Sequence, residues 1–98
     1  MPYVYMLRCQ DGSFYTGWTV DLKRRLLVHN QGKGARYTRA RLPVMLVYAE
    51  ELPDKSTALK REYQIKKLSH QDKEGLVELY VLKNELEEAI KLVQEKPS

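Results

Sequence analysis

Cysteine is nearly missing: Cys9 is the single one among 98 residues. One thiol closes no intrachain disulfide and builds no Cys-based zinc site, which excludes a disulfide scaffold and a zinc finger. No apolar run approaches the ~18 residues that a membrane-spanning helix requires. A basic stretch followed by an apolar core, the mark of a secretory signal, is also lacking at the start. These gaps lead to the expectation of a cytoplasmic protein with no membrane partner. Hydrophobic residues make up 43% and charged residues 31%, a globular rather than a disordered balance. The length suits one domain, and chains of this size bury roughly 60–70% of their unfolded surface, so one core suffices.

Acidic residues are scarce in the first two-thirds. Residues 1–67 hold 13 Lys and Arg against 6 Asp and Glu, a balance of +7; residues 68–98 hold 4 against 7, a balance of −3. A basic body concentrates polyanions, nucleic acid above all, because phosphate contacts release counterions. A solvated lysine-rich surface accounts for the same numbers, so charge alone does not choose.

Pro2 to Arg8 is β-branched, aromatic and apolar. Asp11-Gly12 is a hairpin turn signal, and Ser13 to Thr19 reads as the returning strand. Gly17 inside that strand marks a close backbone approach or a bulge. Asp21 to Asn30 reads as a helix capped by Thr19 or Asp21 and ended by Asn30-Gln31-Gly32. A flexible basic loop from Gly32 to Arg36 leads to a short basic stretch over Tyr37 to Arg41, broken by Pro43. Val44 to Ala49 is a third, buried strand. Ser56 is placed to cap a second helix from Thr57 to Leu68. A capping-box pattern at Ser69 starts a further helical stretch to about Glu95, with interruptions expected near Gly75 or Tyr80. Its apolar stripe is Leu79, Leu82, Leu86, Ala89, Ile90 and Val93, of which Leu86, Ile90 and Val93 are expected to cap the domain's own core. The order ββα, β, helices gives an α+β fold: a small three-stranded, mainly antiparallel sheet flanked by helices. The domain proper is expected over 1–82, and an acidic amphipathic helix, packed on it or appended, over 83–98.

Several residues carry chemistry. Tyr3 and Tyr5 share one face of the first strand, and the hairpin returns Tyr15 beside them. Tyrosines are also ordinary sheet residues. Arg25 and His29 are four apart, on the helix face that carries Leu22 and Leu26. A cation on that inward side needs a partner, or it snorkels. Glu62 lies at the buried stripe of the second helix. Its counterpart is either Arg25, in a structural ion pair, or a metal ion; one carboxylate with phosphate oxygens and water suits Mg²⁺.

These residues resemble the GIY-YIG nuclease superfamily, specifically its small single-domain bacterial members. Tyr3-Val4-Tyr5 is similar to the first motif, with Tyr3 in place of glycine. Tyr15-Thr16-Gly17 is similar to the second, with Thr16 in place of isoleucine. Arg25, His29 and Glu62 match the family's helical arginine, its histidine-or-tyrosine position and its metal-binding glutamate. Asn-Gln-Gly, Ala-Arg-Tyr-Thr and Lys66-Lys67 add to the likeness, which spans about residues 2–80. A later asparagine used by some relatives has no counterpart; Asn84 lies in the acidic segment.

The resemblance implies an endonuclease that hydrolyses phosphodiester bonds in DNA, in repair or processing, with one Mg²⁺ or Mn²⁺ ion on Glu62. Tyr5, Tyr15, Arg25, His29 and Glu62 form the implied catalytic set. Tyr5 and His29 compete as general base, and Tyr5 needs its pKa lowered by a cation for that task. Gly17, Lys23, Arg24, Lys33, Arg36, Arg39 and Arg41 are the expected nucleic-acid contacts, with DNA ahead of RNA and a monomer ahead of a dimer. Two other readings stay open: a nucleic-acid-binding module whose catalysis is weak or lost, and an interaction module whose last helix holds a protein partner.

Overall fold

The turn at Asp11-Gly12 sets the first hairpin. Gly12 takes φ +84°, a left-handed conformation that costs glycine nothing, and Asp11 Oδ1 accepts the backbone N–H of Ser13 at 3.0 Å. The turn joins β1 (Tyr3–Arg8) to β2 (Phe14–Thr19). In this computed structural model, which describes residues 1–95, β3 (Met45–Glu51) pairs with the other edge of β1, giving the order β2-β1-β3. Both pairings are antiparallel, so the fold is the expected α+β sheet flanked by helices.

β1 is the central strand, and both of its faces are covered. Val4 and Met6 join Tyr48, Leu52, Ala58 and Ile65 in one core cluster. Tyr5, Leu7 and Cys9 join Val44 in a second, closed by Tyr15, Leu22, Leu26, Leu42 and Leu46. Each large aliphatic side chain removed from water contributes about 1.5–3 kcal/mol. The buried Cys9 is therefore a small core residue.

α1 (Leu22–Asn30) begins at Asp21, whose side chain accepts the N–H of Arg24. A single turn, α2 (Arg36–Arg39), begins at the end of the expected loop and overlaps the first three residues of the expected basic stretch. Asn30 holds this region on the body: its amide accepts from Val44 N at 2.9 Å and donates to Val44 O at 3.1 Å. α3 (Lys55–Lys66) is capped by Asp54 rather than Ser56, because the Asp54 carboxylate reaches the N–H of Thr57 at 2.7 Å. Ser56 already sits inside the first turn.

α4 (His70–Glu95) opens with Ser69 Oγ accepting the N–H of Asp72 at 3.1 Å. It runs without the interruption expected at Gly75 or Tyr80. Leu76, Val77 and Tyr80 dock on the first core cluster and hold the helix through that stretch. The same residues overturn another expectation. The core is already covered by them, so the following stripe of Leu79, Leu82, Leu86, Ile90 and Val93 does not cap it and remains 47–74% exposed. The boundary expected at 82/83 falls within this continuous helix, and residues 96–98 of the expected segment lie outside the described residues. Among the described residues, no helix is long and apolar enough to cross a membrane.

Candidate active site

Tyr5 organises the site. Antiparallel pairing sets Tyr5 opposite Gly17 and Leu7 opposite Tyr15, so both tyrosines lie on the face of the sheet that α1 covers. A Cβ on Gly17 would stand 2.7 Å from the Tyr5 hydroxyl. Glycine is required there because the phenol fills the space. Gly17 is buried, so its close approach is to Tyr5 and not to an external strand.

α1 brings Arg25 and His29 onto the same phenol. Tyr5 Oη lies 2.9 Å from His29 Nε2, and Arg25 Nε donates to it at 3.4 Å. The inward cation thus has a polar partner in Tyr5, and it also lines a surface groove with Thr19, Asp21 and Arg24. No Arg25–Glu62 ion pair forms among the described residues.

His29 and Thr38 are fully buried. Thr38 donates its hydroxyl proton to the Ala35 carbonyl at 3.0 Å. Its oxygen is then the acceptor for His29 Nδ1–H at 2.8 Å. Burial, helped by the Arg25 charge, lowers the His29 pKa to about 4. A neutral imidazole with its proton on Nδ1 presents the Nε2 lone pair to the Tyr5 hydroxyl. The chain of bonds runs from Arg25 to Tyr5, His29, Thr38 and the backbone of α2.

Tyr5 does not rest in the lowered state that a base would need. Burial raises its phenol above the ordinary value of 10.0, and the Arg25 hydrogen bond offsets only part of this. Both competing bases are therefore neutral near pH 7. They are also in series: both nitrogens of His29 are occupied, one by Thr38 and the other by the Tyr5 hydroxyl.

Tyr15 packs at 5.1 Å from the His29 ring and 6.4 Å from Tyr5, and Tyr37 stacks on it from α2 at 6.3 Å. Glu62 projects from α3 with its side chain 17% exposed and Lys66 Nζ at 3.7 Å. Its charge reaches Tyr5 as a small additional raising influence. No group of three His, Cys, Asp or Glu gathers among the described residues. A lone carboxylate fits Mg²⁺ or Mn²⁺, which keep water and borrow phosphate oxygens, and does not fit a zinc cage.

Lys23 and Arg24 on α1, Lys33 in the loop, and Arg36 and Arg39 on α2 are exposed. Arg41 differs from them. It pairs with Asp11 at 3.1 Å, lies 3.8 Å over the Tyr37 ring and donates to Tyr37 O at 2.9 Å. Its guanidinium holds α2 to the β1–β2 turn.

Thr38, Gly34 and Tyr37 belong to the site and were not singled out from the sequence. A Cβ on Gly34 would collide with the His29 imidazole, so the loop glycine makes room for the ring. The Ala-Arg-Tyr-Thr run was visible as a pattern. That its threonine reaches back nine residues to His29 was not.

A family model described as the GIY-YIG catalytic domain matches residues 1–75. The UPF0213 protein SSP2268 of Staphylococcus saprophyticus is 52% identical over 75 residues, covering 76% of this chain and 92% of that protein. The UPF0213 protein VNG_2274C of Halobacterium salinarum is 51% identical over 76 residues, covering 78% and 99%. The solution NMR structure of the UPF0213 protein BH0048 from Bacillus halodurans is similar at a TM-score of 0.52 and 51% identity, covering 81% of this chain and 85% of that one. None of these designations states a reaction.

Proposed function

From the premise that this chain belongs to the GIY-YIG family, whose members are generally endonucleases using a divalent metal, we propose that it hydrolyses phosphodiester bonds in DNA with one Mg²⁺-type ion held at Glu62. The observation that supports this most is the Tyr5 hydroxyl held between a cation, Arg25, and a lone-pair acceptor, His29 Nε2. A sheet tyrosine kept only for packing needs neither.

The geometry supports the following roles. Arg25, on the rim of its groove, neutralises charge growing on the phosphoryl oxygens. Tyr5 takes the proton of the attacking water as its own proton passes to His29 Nε2. Thr38 keeps His29 in the tautomer that can receive it, and Tyr15 positions the water or phosphate. The resting pair is poised against this transfer, because the phenol is raised and the imidazole is lowered. A cation held at Glu62 would cancel the carboxylate charge that raises the phenol, and so would favour loss of the Tyr5 proton. The ion itself supplies Lewis acidity to the phosphate and its leaving oxygen. Lys23, Arg24, Lys33, Arg36 and Arg39 contact the backbone outside the site and position the strand without reading sequence.

The test is metal-dependent cleavage of labelled single-stranded, duplex, nicked, flap and branched DNA by wild type and Glu62→Ala. Cleavage that requires Mg²⁺ or Mn²⁺ and disappears in the folded variant supports the reading. Equal cleavage by both exposes a contaminant. No cleavage of any substrate favours a binding module, which the same basic surface would serve.

A further inference from the structure

α4 has two apolar faces. Leu76, Val77 and Tyr80 rest on the protein's own core. Leu79, Leu82, Leu86, Ala89 and Val93 recur at alternating three- and four-residue steps on a second face, about 145° around the helix at ~100° per residue. The large members of this second face are exposed, Leu82 at 60% and Leu86 at 61%. A stretch of this length, free of the body, is a marginal helix by itself in water. The alternating step is that of a helix seam which buries itself against another helix.

Charge selects the occupant. Residues 83–94 carry Lys83 and Lys91 against Glu85, Glu87 and Glu88, an acidic surface that repels nucleic acid. Lys83 borders the seam on one side, and Glu78 and Glu85 border it on the other. When two copies pair in parallel, opposite flanks meet, and Glu78 of one copy faces Lys83 of its neighbour. In an antiparallel pair the glutamate flank faces itself, which costs stability.

We propose that this seam is the interface for a second copy of the chain, paired in parallel. The body packs on the Leu76, Val77 and Tyr80 face of each helix and leaves the large seam residues Leu82, Leu86 and Val93 exposed. The seam is only ~22 Å long at ~1.5 Å per residue, so the dimer is reversible and depends on concentration. This inference does not rest on the nuclease reading, and its readout is mass, not activity.

The experiment is sedimentation of the full chain from micromolar to near-millimolar concentration, with Leu86→Glu, Lys83→Glu and Val93→Cys. Leu86 is solvent-exposed in the single chain, so its variant should melt as wild type does. The expected results are a concentration-dependent dimer, its loss in Leu86→Glu, weakening at least severalfold in Lys83→Glu, and a disulfide-linked dimer of Val93→Cys on mild oxidation. Monomer at every concentration overturns the proposal, as does a dimer that survives Leu86→Glu. A dimer dissolved instead by Lys23→Glu with Arg24→Glu means that the acidic helix docks on a basic body, which also overturns it. A persistent dimer that Val93→Cys fails to link is antiparallel and contradicts the parallel pairing.

Discussion

The two faces of β1 divide the protein's work. Val4 and Met6 point into a cluster of aliphatic and aromatic side chains under α3 and the start of α4. Tyr5, on the neighbouring face, points into a layer that begins apolar at Leu22 and Leu26 and ends in the Arg25–Tyr5–His29–Thr38 chain. Both faces are equally dry, since Val4, Met6, Tyr5 and His29 are at most 2% exposed. Burial alone therefore does not mark a site. The difference lies in partners: on the Met6 side the buried Thr16 hydroxyl has no hydrogen-bond partner among the described residues, whereas on the Tyr5 face Arg25, Tyr5, His29 and Thr38 are linked in one chain.

Substitutions on the two faces should have opposite signatures. The largest loss of stability is expected for Met6→Ala, which leaves a cavity beside Ile65 and Tyr48. Chemical denaturation should show about 2–5 kcal/mol lost, with the cleavage rate of the remaining folded fraction unchanged. A fall in that rate equal to a site substitution would erase the distinction between the faces.

Next in size is an acid effect confined to the Tyr5 face. The His29 pKa is lowered in the folded protein from 6.5 to about 4. The unfolded chain therefore binds more protons between those values, and stability must fall as pH drops through that window. Above about pH 6.5 the whole contribution is present; the loss by pH 4 is about 3 kcal/mol. His29→Gln should flatten the dependence in thermal melts. A wild-type curve with no slope between pH 6.5 and 4 would mean that His29 is not buried neutral.

The smallest effect belongs to neither face. Lys33→Ala and Arg36→Ala should each weaken DNA binding a few-fold across all sequences and reduce the salt slope by about 1. Arg41→Ala should instead lower stability, since its guanidinium ties Asp11 to Tyr37. Filter binding over a salt series, beside a melt, separates the two kinds of arginine.

Much of this was legible in the residues. Alternation in Tyr3-Val4-Tyr5, the Asp-Gly turn and the four-residue step from Arg25 to His29 are local signals, and each produced the element expected of it. The position of Thr38 was not legible. It depends on where a one-turn helix lands after a loop, and no periodicity encodes that. Gly34 was read as flexibility when it makes space, because a glycine's neighbours across the fold are invisible in the chain. The stripe on α4 was visible, but its partner was misassigned to the core. Two apolar faces on one helix look alike in sequence, and only packing decides which one the body takes.

The central claim is that the Tyr5 face performs the chemistry with the phenol as its proton-accepting centre. Single-turnover cleavage of labelled DNA in Mg²⁺ by wild type and Tyr5→Phe, from neutral to alkaline pH, tests it most directly. The expected result is a wild-type rate that rises with pH and a fall of about 10²–10⁴-fold in Tyr5→Phe, with both proteins melting alike. A Tyr5→Phe protein that cleaves as fast as wild type, with the same pH profile, would contradict it.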